Sequence, residues 1–291
     1  MNQFSPQQIA LLCQRALLYE ASATPKPGLV DRQNSGAHTD MDFYTFLDSA
    51  ITLGPYFQQV AQTAWSWREL PDNGLALLRP LGIRAEEQML SATGGVNTHK
   101  GLVFSLGLLS AAAAFLAGAG RQVTPQEVCR VGAVLAAGAQ ADFLALSDPH
   151  TAGERLYLAH RITGVRGEAA SGFASVRCWG LPALKEALGR GASFNDACLQ
   201  ALLALMAQVT DTNVIHRRGL EALEWVQKEA SALLEAGGIL APCGVEKMRE
   251  LDRILIRENI SPGGCADLLA AAIFLFFLEE KQKGDRLWIH N

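Results

Sequence analysis

The sequence predicts an all-α protein, and three observations support this prediction. Apolar residues recur at intervals of three and four along most of the chain, helix-start signatures precede several of these segments, and few segments alternate as half-buried strands do. The chain has 291 residues, 49% of them hydrophobic, which is enough to bury a large core. We therefore expect a single helical domain over residues 1–291, either undivided or built from two similar halves that enclose a cleft.

Helix starts can be read in order along the chain. Residues 5–8, SPQQ, combine an N-cap, a proline in the first turn and a capping-box glutamine, and residues 124–127, TPQE, repeat that signature. Asp40 could cap a helix that Pro55 would kink or end. Apolar periodicity predicts further helices over residues 101–116, 153–162, 176–188, 194–209, 217–236, 245–256 and 265–279.

Composition limits the cellular compartments and the classes of partner that we expect for the protein. Residues 101–120 are uncharged and long enough for a membrane span, but they are rich in Ala, Gly and Ser, so we predict a buried core helix and no membrane association. The N-terminus lacks a signal-peptide pattern, and six singly scattered cysteines are typical of a reduced, cytoplasmic protein. A net charge of -4 gives no basic field for a nucleic acid.

Four polar segments stand at the boundaries of the predicted helices. Loops at such boundaries are the usual place for side chains that reach a ligand, so we expect the four segments to line one cleft. They are residues 20–42, with Glu20, Lys26, Asp31, Arg32, Asn34, His38, Asp40 and Asp42; residues 94–101, GGVNTHKG; residues 210–218, TDTNVIHRR; and residues 259–267, NISPGGCAD.

The second and fourth segments have the character of anion sites. Paired glycines let the backbone approach a ligand, and a helix N-terminus offers free N–H groups to phosphate. Lys100 adds a cation to the second segment, and Gly263-Gly264 opens the last predicted helix. Neither segment is a Walker A motif, and taken alone each could be a plain helix start.

The carboxylates in these segments suit Mg²⁺ chemistry or acid–base chemistry. Mg²⁺ prefers carboxylate oxygens, waters and substrate phosphates, while a carboxylate beside a sugar can act as a base or stabilise a cationic transition state. Each single Asp could instead cap a helix or pair with a neighbouring cation. No zinc motif and no nucleophile elbow is present. The candidates are Glu20, Asp31, Asp40, Asp42, Asp211 and Asp267.

The polar segments resemble those of a known family. Glu20 with "SATPKPGLVDRQNSGAH" and "DMD", followed by "GGVNTHKG", "TDTNVIHR" and "NISPGGCADLLA", is similar to the triphosphoribosyl-dephospho-CoA synthases over residues 20–270. One departure is Arg218-Gly219, where the family pattern has a pair of glycines; this arginine either adds a cation near the phosphates or points to solvent. Residues 163–173 also resemble a family stretch, without indicating roles.

The resemblance implies an all-helical transferase that joins ATP to 3'-dephospho-CoA and releases adenine. The product, 2'-(5''-triphosphoribosyl)-3'-dephospho-CoA, would pass to a transferase that acts on an acyl carrier protein. That carrier belongs to citrate lyase or to malonate decarboxylase, and "NSGAHTDMDFYTF" is more similar to the citrate lyase branch. A homodimer is compatible with the sequence.

The implied chemistry distributes roles over the polar segments. We expect catalysis from Asp31, Asp42, Asp211 and His99, with the division between base and metal ligand left open. Asn97, Asn213 and His99 are candidates to hydrogen-bond the leaving adenine. Expected ATP and phosphate contacts are Lys26, Arg32, Gly95, Asn97, Lys100, Asn213, His216, Arg217, Gly263 and Gly264. Expected ligands of Mg²⁺, which would accompany ATP, are Glu20, Asp40 and Asp267.

Two other functions fit parts of the same pattern. A Mg²⁺-dependent helical nucleotide hydrolase or pyrophosphatase would also gather carboxylates around a phosphate. A non-enzymatic helical module that binds an acyl carrier protein would need an exposed apolar groove and would not bind nucleotides. The segregated Asp, His, Lys and Gly residues argue against that module.

Overall fold

The computed structural model describes residues 4–139, 149 and 151–284, and within them it contains helices and no β-strand, which confirms the predicted all-α class. A π-helical turn spans Val176–Gly180 and a 3₁₀ turn spans Gly238–Leu240. The α-helices are α1 (Pro6–Ser22), α2 (Phe43–Thr52), α3 (Gly54–Trp65), α4 (Gly74–Ala92), α5 (Lys100–Gly118), α6 (Pro125–Ala136), α7 (Ala152–His160), α8 (Gly164–Ala170), α9 (Leu181–Gly189), α10 (Phe194–Gln208), α11 (Thr212–Glu235), α12 (Gly244–Arg257) and α13 (Gly263–Lys283).

Two nearly all-apolar helices, α5 and α13, form the centre of the bundle. Helix α13 packs against α1, α5, α9 and α10, and α5 also packs against α3 and α6. Buried apolar residues form one continuous cluster that reaches from Phe4 to Leu278. A helix that is apolar on all sides is stable in water only when neighbours cover it completely, which explains the central position of this pair.

Helix α5 is long and apolar enough to cross a membrane by length and composition alone. However, 83% of its most apolar 18-residue window is buried inside the protein, as expected of a core helix. Small side chains let its neighbours approach closely: a Cβ added at Gly118 would lie 2.6 Å from the Trp65 carbonyl oxygen on α3. This helix is therefore weak evidence for a membrane span.

The N-terminal signatures read from the sequence form the caps that they predict. The Ser5 side chain accepts a hydrogen bond from the Gln8 amide, and the Gln8 side chain accepts one in return from the Ser5 amide. Thr124 caps α6 in the same way by accepting from the amide of Glu127. Each cap satisfies an amide that the helix itself leaves unpaired, which explains why the boundaries could be predicted.

The start of α2 corrects one prediction, because Asp42 rather than Asp40 caps this helix. The Asp42 carboxylate accepts from the backbone amide of Thr45 at 2.9 Å, and the Thr45 hydroxyl completes a reciprocal capping box. Of the two outcomes predicted for Pro55, a kink is not observed, whereas the helix does end before it, at Thr52; Pro55 itself stands in the first turn of α3, where its missing N–H costs nothing.

Helices α3 and α4 were not predicted as separate elements. Helix α4 buries only four of its nineteen residues and contains Pro80, so its apolar periodicity is weak. The helix predicted over residues 217–236 begins earlier, at Thr212, and is broken at Gly219, whose φ of 83° and ψ of -178° are not helical. The suggestion of two similar halves stays a prediction.

Candidate active site

One cleft of about 1040 Å³ brings all four polar segments together. The first segment contributes Glu20, Lys26, His38 and Asp40; the second, Asn97, Thr98, His99, Lys100 and Gly101; the third, Asp211, Asn213, His216 and Arg217; and the fourth, Ser261, Gly263, Gly264 and Asp267. These segments are far apart in the sequence, so only the packing of α1, α5, α11 and α13 makes them neighbours.

Asp31, a predicted catalytic residue, does not line the cleft. Its buried carboxylate accepts hydrogen bonds from the backbone amides of Lys26, Gln33 and Asn34 at 3.0, 2.7 and 3.1 Å, and from the Thr24 hydroxyl at 2.6 Å. A carboxylate with so many donors is held in one orientation. The geometry therefore gives Asp31 the role of shaping the loop that carries the first segment.

Asp252, which no sequence pattern singled out, is a second carboxylate that shapes this loop. From α12 it accepts a hydrogen bond from the Gly28 amide at 2.8 Å and one from the Asn34 side chain at 3.0 Å. Gly28 has a φ of +69°, and a Cβ at this position would lie 2.3 Å from the carbonyl oxygen of Ile260. Only glycine allows the loop to pack so closely against the chain that precedes α13.

Three further predicted residues also lie outside the cleft lining: Arg32, Asp42 and Gly95. Arg32 is exposed and reaches Asn195 at 3.4 Å, and Asp42 is occupied as the cap of α2. Arg218, which replaces the expected glycine, is exposed as well and donates to the Glu258 carbonyl oxygen. This arginine therefore adds no cation to the cleft.

Glu20 and Lys26 form a buried ion pair in the wall of the cleft. Each residue is 1% exposed, and the Lys26 ammonium contacts the Glu20 carboxylate directly. Burial raises the pKa of Glu20, and the positive charge of Lys26 opposes that shift. Since its ammonium is already paired, Lys26 is less available to a phosphate than the sequence alone indicated.

Asp211 connects the starts of two helices. One carboxylate oxygen accepts from the amide of Asn213 at 2.9 Å in α11, and the other accepts from the amide of Cys265 at 2.8 Å in α13. A Cβ at Gly264 would lie 3.1 Å from this carboxylate. The helix start that the sequence offered to phosphate is thus partly capped by Asp211, and Gly264 makes room for that cap.

Asp267 is the cleft carboxylate that remains open to a ligand. Within the described residues, no hydrogen bond or ion pair engages its side chain. Burial raises its pKa well above the usual range, and the charges of Glu20 and Asp211 raise it further. One carboxylate oxygen lies 2.0 Å from where a Cβ on Gly101 would be, so this glycine is needed to accommodate Asp267.

Arg217 is a fixed cation at the edge of the cleft. Its guanidinium donates to the Ala37 carbonyl oxygen at 3.0 Å, to the Asn259 side-chain oxygen at 2.8 Å and to His38 at 3.1 Å. Burial, together with the charge of Arg217, lowers the pKa of His38, so this ring is neutral at pH 7. All three acceptors are neutral, which leaves the positive charge of Arg217 available to an anion.

Lys100 occupies the rim of the cleft. Its exposed ammonium lies 2.9 Å from the carboxylate of Glu86, a residue that the sequence did not single out. The first amide of α5, that of Lys100, donates to the side-chain oxygen of Asn97 at 3.1 Å. An exposed pair of this kind is weak, so an incoming phosphate could displace Glu86.

His99 is fully buried where α5 begins, and it lines the cleft. Its Nδ1 lies 2.7 Å from the Ser49 hydroxyl, and the edge of its ring meets the Phe46 ring at a centroid distance of 5.0 Å. Its Nε2 has no hydrogen-bond partner in the part of the chain that the structure describes. Burial, and to a lesser extent the charge of Lys26, lowers the pKa of His99 to about 3.

The low pKa of His99 predicts an acid-sensitive fold. Below pH 6.5 the unfolded chain takes up a proton on this ring while the folded chain does not. Each further pH unit therefore lowers the free energy of unfolding by about 1.4 kcal/mol. Between pH 7 and pH 5, we expect the unfolding free energy of the wild type to fall by about 2 kcal/mol more than that of His99→Gln. Urea unfolding measures this difference. Equal slopes for both proteins, or a wild-type ring that titrates by NMR between pH 5 and 8, would contradict the assignment.

A further wall of the cleft comes from residues 151–175, to which the sequence assigned no roles. Arg166 lies 3.7 Å from Glu154, and the Glu168 carboxylate accepts from the amide and the hydroxyl of Ser175, both at 2.8 Å. The only sequence signal for this wall was the family-like stretch over residues 163–173. It could not be used because its polar residues follow no specific motif.

The predicted metal ligands line the cleft without forming a preassembled site. Glu20, Asp40 and Asp267 all face it, but in the described ranges no group of three or more His, Cys, Asp or Glu side chains could hold a metal ion. Glu20 is engaged by Lys26, whereas the Asp40 side chain is exposed. This donor set fits a Mg²⁺ ion that arrives on substrate phosphates and needs one or two protein carboxylates.

Comparisons with known proteins identify the family of this chain. The model of the ATP:dephospho-CoA triphosphoribosyl transferase family matches residues 6–286. No solved structure matches the chain significantly.

Curated relatives match over nearly the same length. A probable 2-(5''-triphosphoribosyl)-3'-dephosphocoenzyme-A synthase of Pectobacterium carotovorum is 44% identical over 90% of this chain and 86% of that protein. The synthase of Klebsiella pneumoniae is 41% identical over 93% of this chain and 91% of its own length, and a probable synthase of Vibrio cholerae is 41% identical over 94% and 88%. The chain therefore belongs to the ATP:dephospho-CoA triphosphoribosyl transferase family and is a transferase that uses ATP and dephospho-CoA.

Proposed function

We propose that this enzyme transfers the triphosphoribosyl group of ATP to the 2'-hydroxyl of 3'-dephospho-CoA and releases adenine. The bond between ribose C1' and adenine N9 breaks, a bond between C1' and the 2'-oxygen forms, and adenine leaves with the proton that the hydroxyl loses overall. The observation that carries this proposal is Asp267, an open carboxylate in a cleft that also contains the fixed cation Arg217.

The open carboxylate of Asp267 suits the reacting ribose. Cleavage of an N-glycosidic bond develops positive charge on C1' and the ring oxygen, and a nearby anion stabilises that charge. Asp267 can also accept the hydroxyl proton, because no donor in the described residues occupies its oxygens. Asp31, Asp42 and Asp211 serve the same reaction indirectly, since their carboxylates hold loop and helix starts in place.

The triphosphate fits the end of the cleft that contains Arg217. Phosphates must be held there without being cleaved, and a guanidinium fixed by neutral acceptors provides a suitable anchor. Lys100, Asn97, Asn213, His216 and the glycines of α13 line the same cleft. Asp40, exposed beside His38, would hold the Mg²⁺ of MgATP, and this ion neutralises phosphate charge when bound.

An adenine-release assay tests the reaction directly. With MgATP and 3'-dephospho-CoA, we expect one equivalent of free adenine per CoA derivative, whose mass equals that of both substrates minus adenine. A 3'-dephospho-CoA analogue without the 2'-hydroxyl should give no product. Formation of ADP, AMP or pyrophosphate instead would identify a nucleotide hydrolase and contradict the proposal.

We further propose that the product is the prosthetic-group precursor for the acyl carrier protein of citrate lyase, and that the enzyme works in the cytoplasm. Residues 34–46 support the citrate lyase branch, and six free cysteines support a reducing compartment. Deletion of the gene should remove the prosthetic group from that carrier, as read by intact-protein mass. Loss from a malonate decarboxylase carrier alone would assign the enzyme to the other pathway.

A further inference from the structure

The imidazole of His99 lines the cleft and has one ring nitrogen, Nε2, that no other described group satisfies. The residue is 1% exposed and lines the cleft, and its Nε2 is a buried side-chain atom without a partner among the described residues. A buried polar atom without a partner destabilises the folded protein, so such atoms are rare unless a ligand satisfies them.

The other side of the imidazole is held by two hydroxyl groups in sequence. The Thr98 hydroxyl donates to the Ser49 oxygen at 2.7 Å, and the Ser49 oxygen lies 2.7 Å from Nδ1 of His99. Ser49 has a single hydrogen; with Thr98 donating to its oxygen, Nδ1 is the one acceptor within reach of that hydrogen among the described residues, so the arrangement directs it at Nδ1. Nδ1 is then the acceptor, and the ring proton stands on Nε2.

The surroundings of this Nε2–H group match a base ring better than a phosphate. Phe46 lies beside His99, with its ring centroid 5.0 Å from that of the imidazole, and both Phe46 and Met41 line the cleft. An uncharged donor among apolar side chains gives little to a phosphate but orients a flat heterocycle well. Asp267, the residue assigned to the ribose, lies against Gly101, only two residues beyond His99.

We propose that Phe46 and His99 bind the adenine base of ATP, and that Ser49 is the positioning residue that keeps the Nε2–H of His99 directed at N3 or N7 of that base. This inference rests on the proposed function, in which adenine is the leaving group. As the bond from C1' to N9 breaks, electron density accumulates on the ring nitrogens of adenine. A preorganised donor to N3 or N7 becomes stronger at that moment and thus lowers the barrier.

The test compares three nucleotides with three proteins. In the wild type, either 7-deaza-ATP or 3-deaza-ATP, whichever lacks the acceptor, should react with a kcat/KM about a hundredfold below that of ATP. In Ser49→Ala the kcat/KM for ATP should fall towards that of the analogue, because the donor is no longer oriented. The ratio of the two kcat/KM values should then shrink to about threefold. Ser110→Ala removes a buried serine on α5 that donates to the Gly107 carbonyl oxygen, contacts Cys13 on α1 and does not line the cleft, so it should keep wild-type rates and discrimination.

Three results would overturn the proposal. Both analogues could react like ATP in the wild type, Ser49→Ala could keep the full discrimination, or ¹⁵N NMR of the wild type could place the ring proton on Nδ1. If Ser49→Ala does not fold, the NMR spectrum and the wild-type analogue series decide the question. Absence of adenine release from ATP itself would contradict the proposed function instead, so the two failures are distinguishable.

Discussion

Lys26→Met is expected to destabilise the protein by about 3–5 kcal/mol, because it leaves the Glu20 carboxylate buried without its counter-charge. Both residues are 1% exposed, so water cannot replace the lost partner. The pKa of Glu20, already raised by burial, should rise further in the variant. The folded variant would then bind a proton that the unfolded chain releases above pH 4.5. The loss of unfolding free energy, relative to the wild type, should be present in full at neutral pH and should diminish as the pH falls towards 4.5.

Two further variants make this prediction specific to the buried pair. Glu20→Gln combined with Lys26→Met removes both charges and should recover much of the lost unfolding free energy. Lys185→Met breaks an ion pair with Glu279 that is partly exposed and 2.8 Å long, and it should cost less than about 1 kcal/mol. Urea unfolding followed by circular dichroism measures all three. A loss below about 1 kcal/mol in Lys26→Met, equal to that in Lys185→Met, would show that the pair contributes little.

The sequence located the cleft better than it assigned roles within it. Helix caps are local, so Ser5 and Thr124 could be identified from three or four residues. The four polar segments were recognisable because each stands at a helix boundary. The sequence could not show which carboxylates already accept hydrogen bonds from backbone amides, because these bonds join chain segments that meet only after folding.

Asp211 and Asp267 illustrate this limit. In the sequence both are acidic residues near a predicted helix start, and Asp211 looked like the better catalytic candidate. Asp211, however, accepts a hydrogen bond from Cys265, 54 residues away, and Gly264 leaves space for its carboxylate. Asp267 is left without a donor in the described structure because its carboxylate faces Gly101, which has no side chain. Only tertiary packing separates a structural carboxylate from an available one.

Asp267→Asn should therefore lower kcat by about 10²–10³-fold, since the amide keeps the shape of the side chain but can neither carry a negative charge nor accept the hydroxyl proton. Initial rates of adenine release give kcat, and calorimetric titration gives the affinity for MgATP, which should change little because Arg217 is untouched. Asp48→Asn removes one exposed charge outside the cleft and should leave kcat within about twofold of wild type.

Asp267→Asn should not destabilise the fold. A lower kcat at unchanged stability distinguishes a catalytic role from a structural one. The Asp267 side chain is partly buried near Glu20 and Asp211, and burial, followed by these two charges, raises its pKa. Removing a carboxyl group from such a cluster relieves repulsion, so the melting temperature of Asp267→Asn should equal or exceed that of the wild type. A variant with wild-type kcat would remove Asp267 from the chemistry. A variant that loses activity only together with several degrees of melting temperature would make its carboxylate a structural element, like that of Asp211.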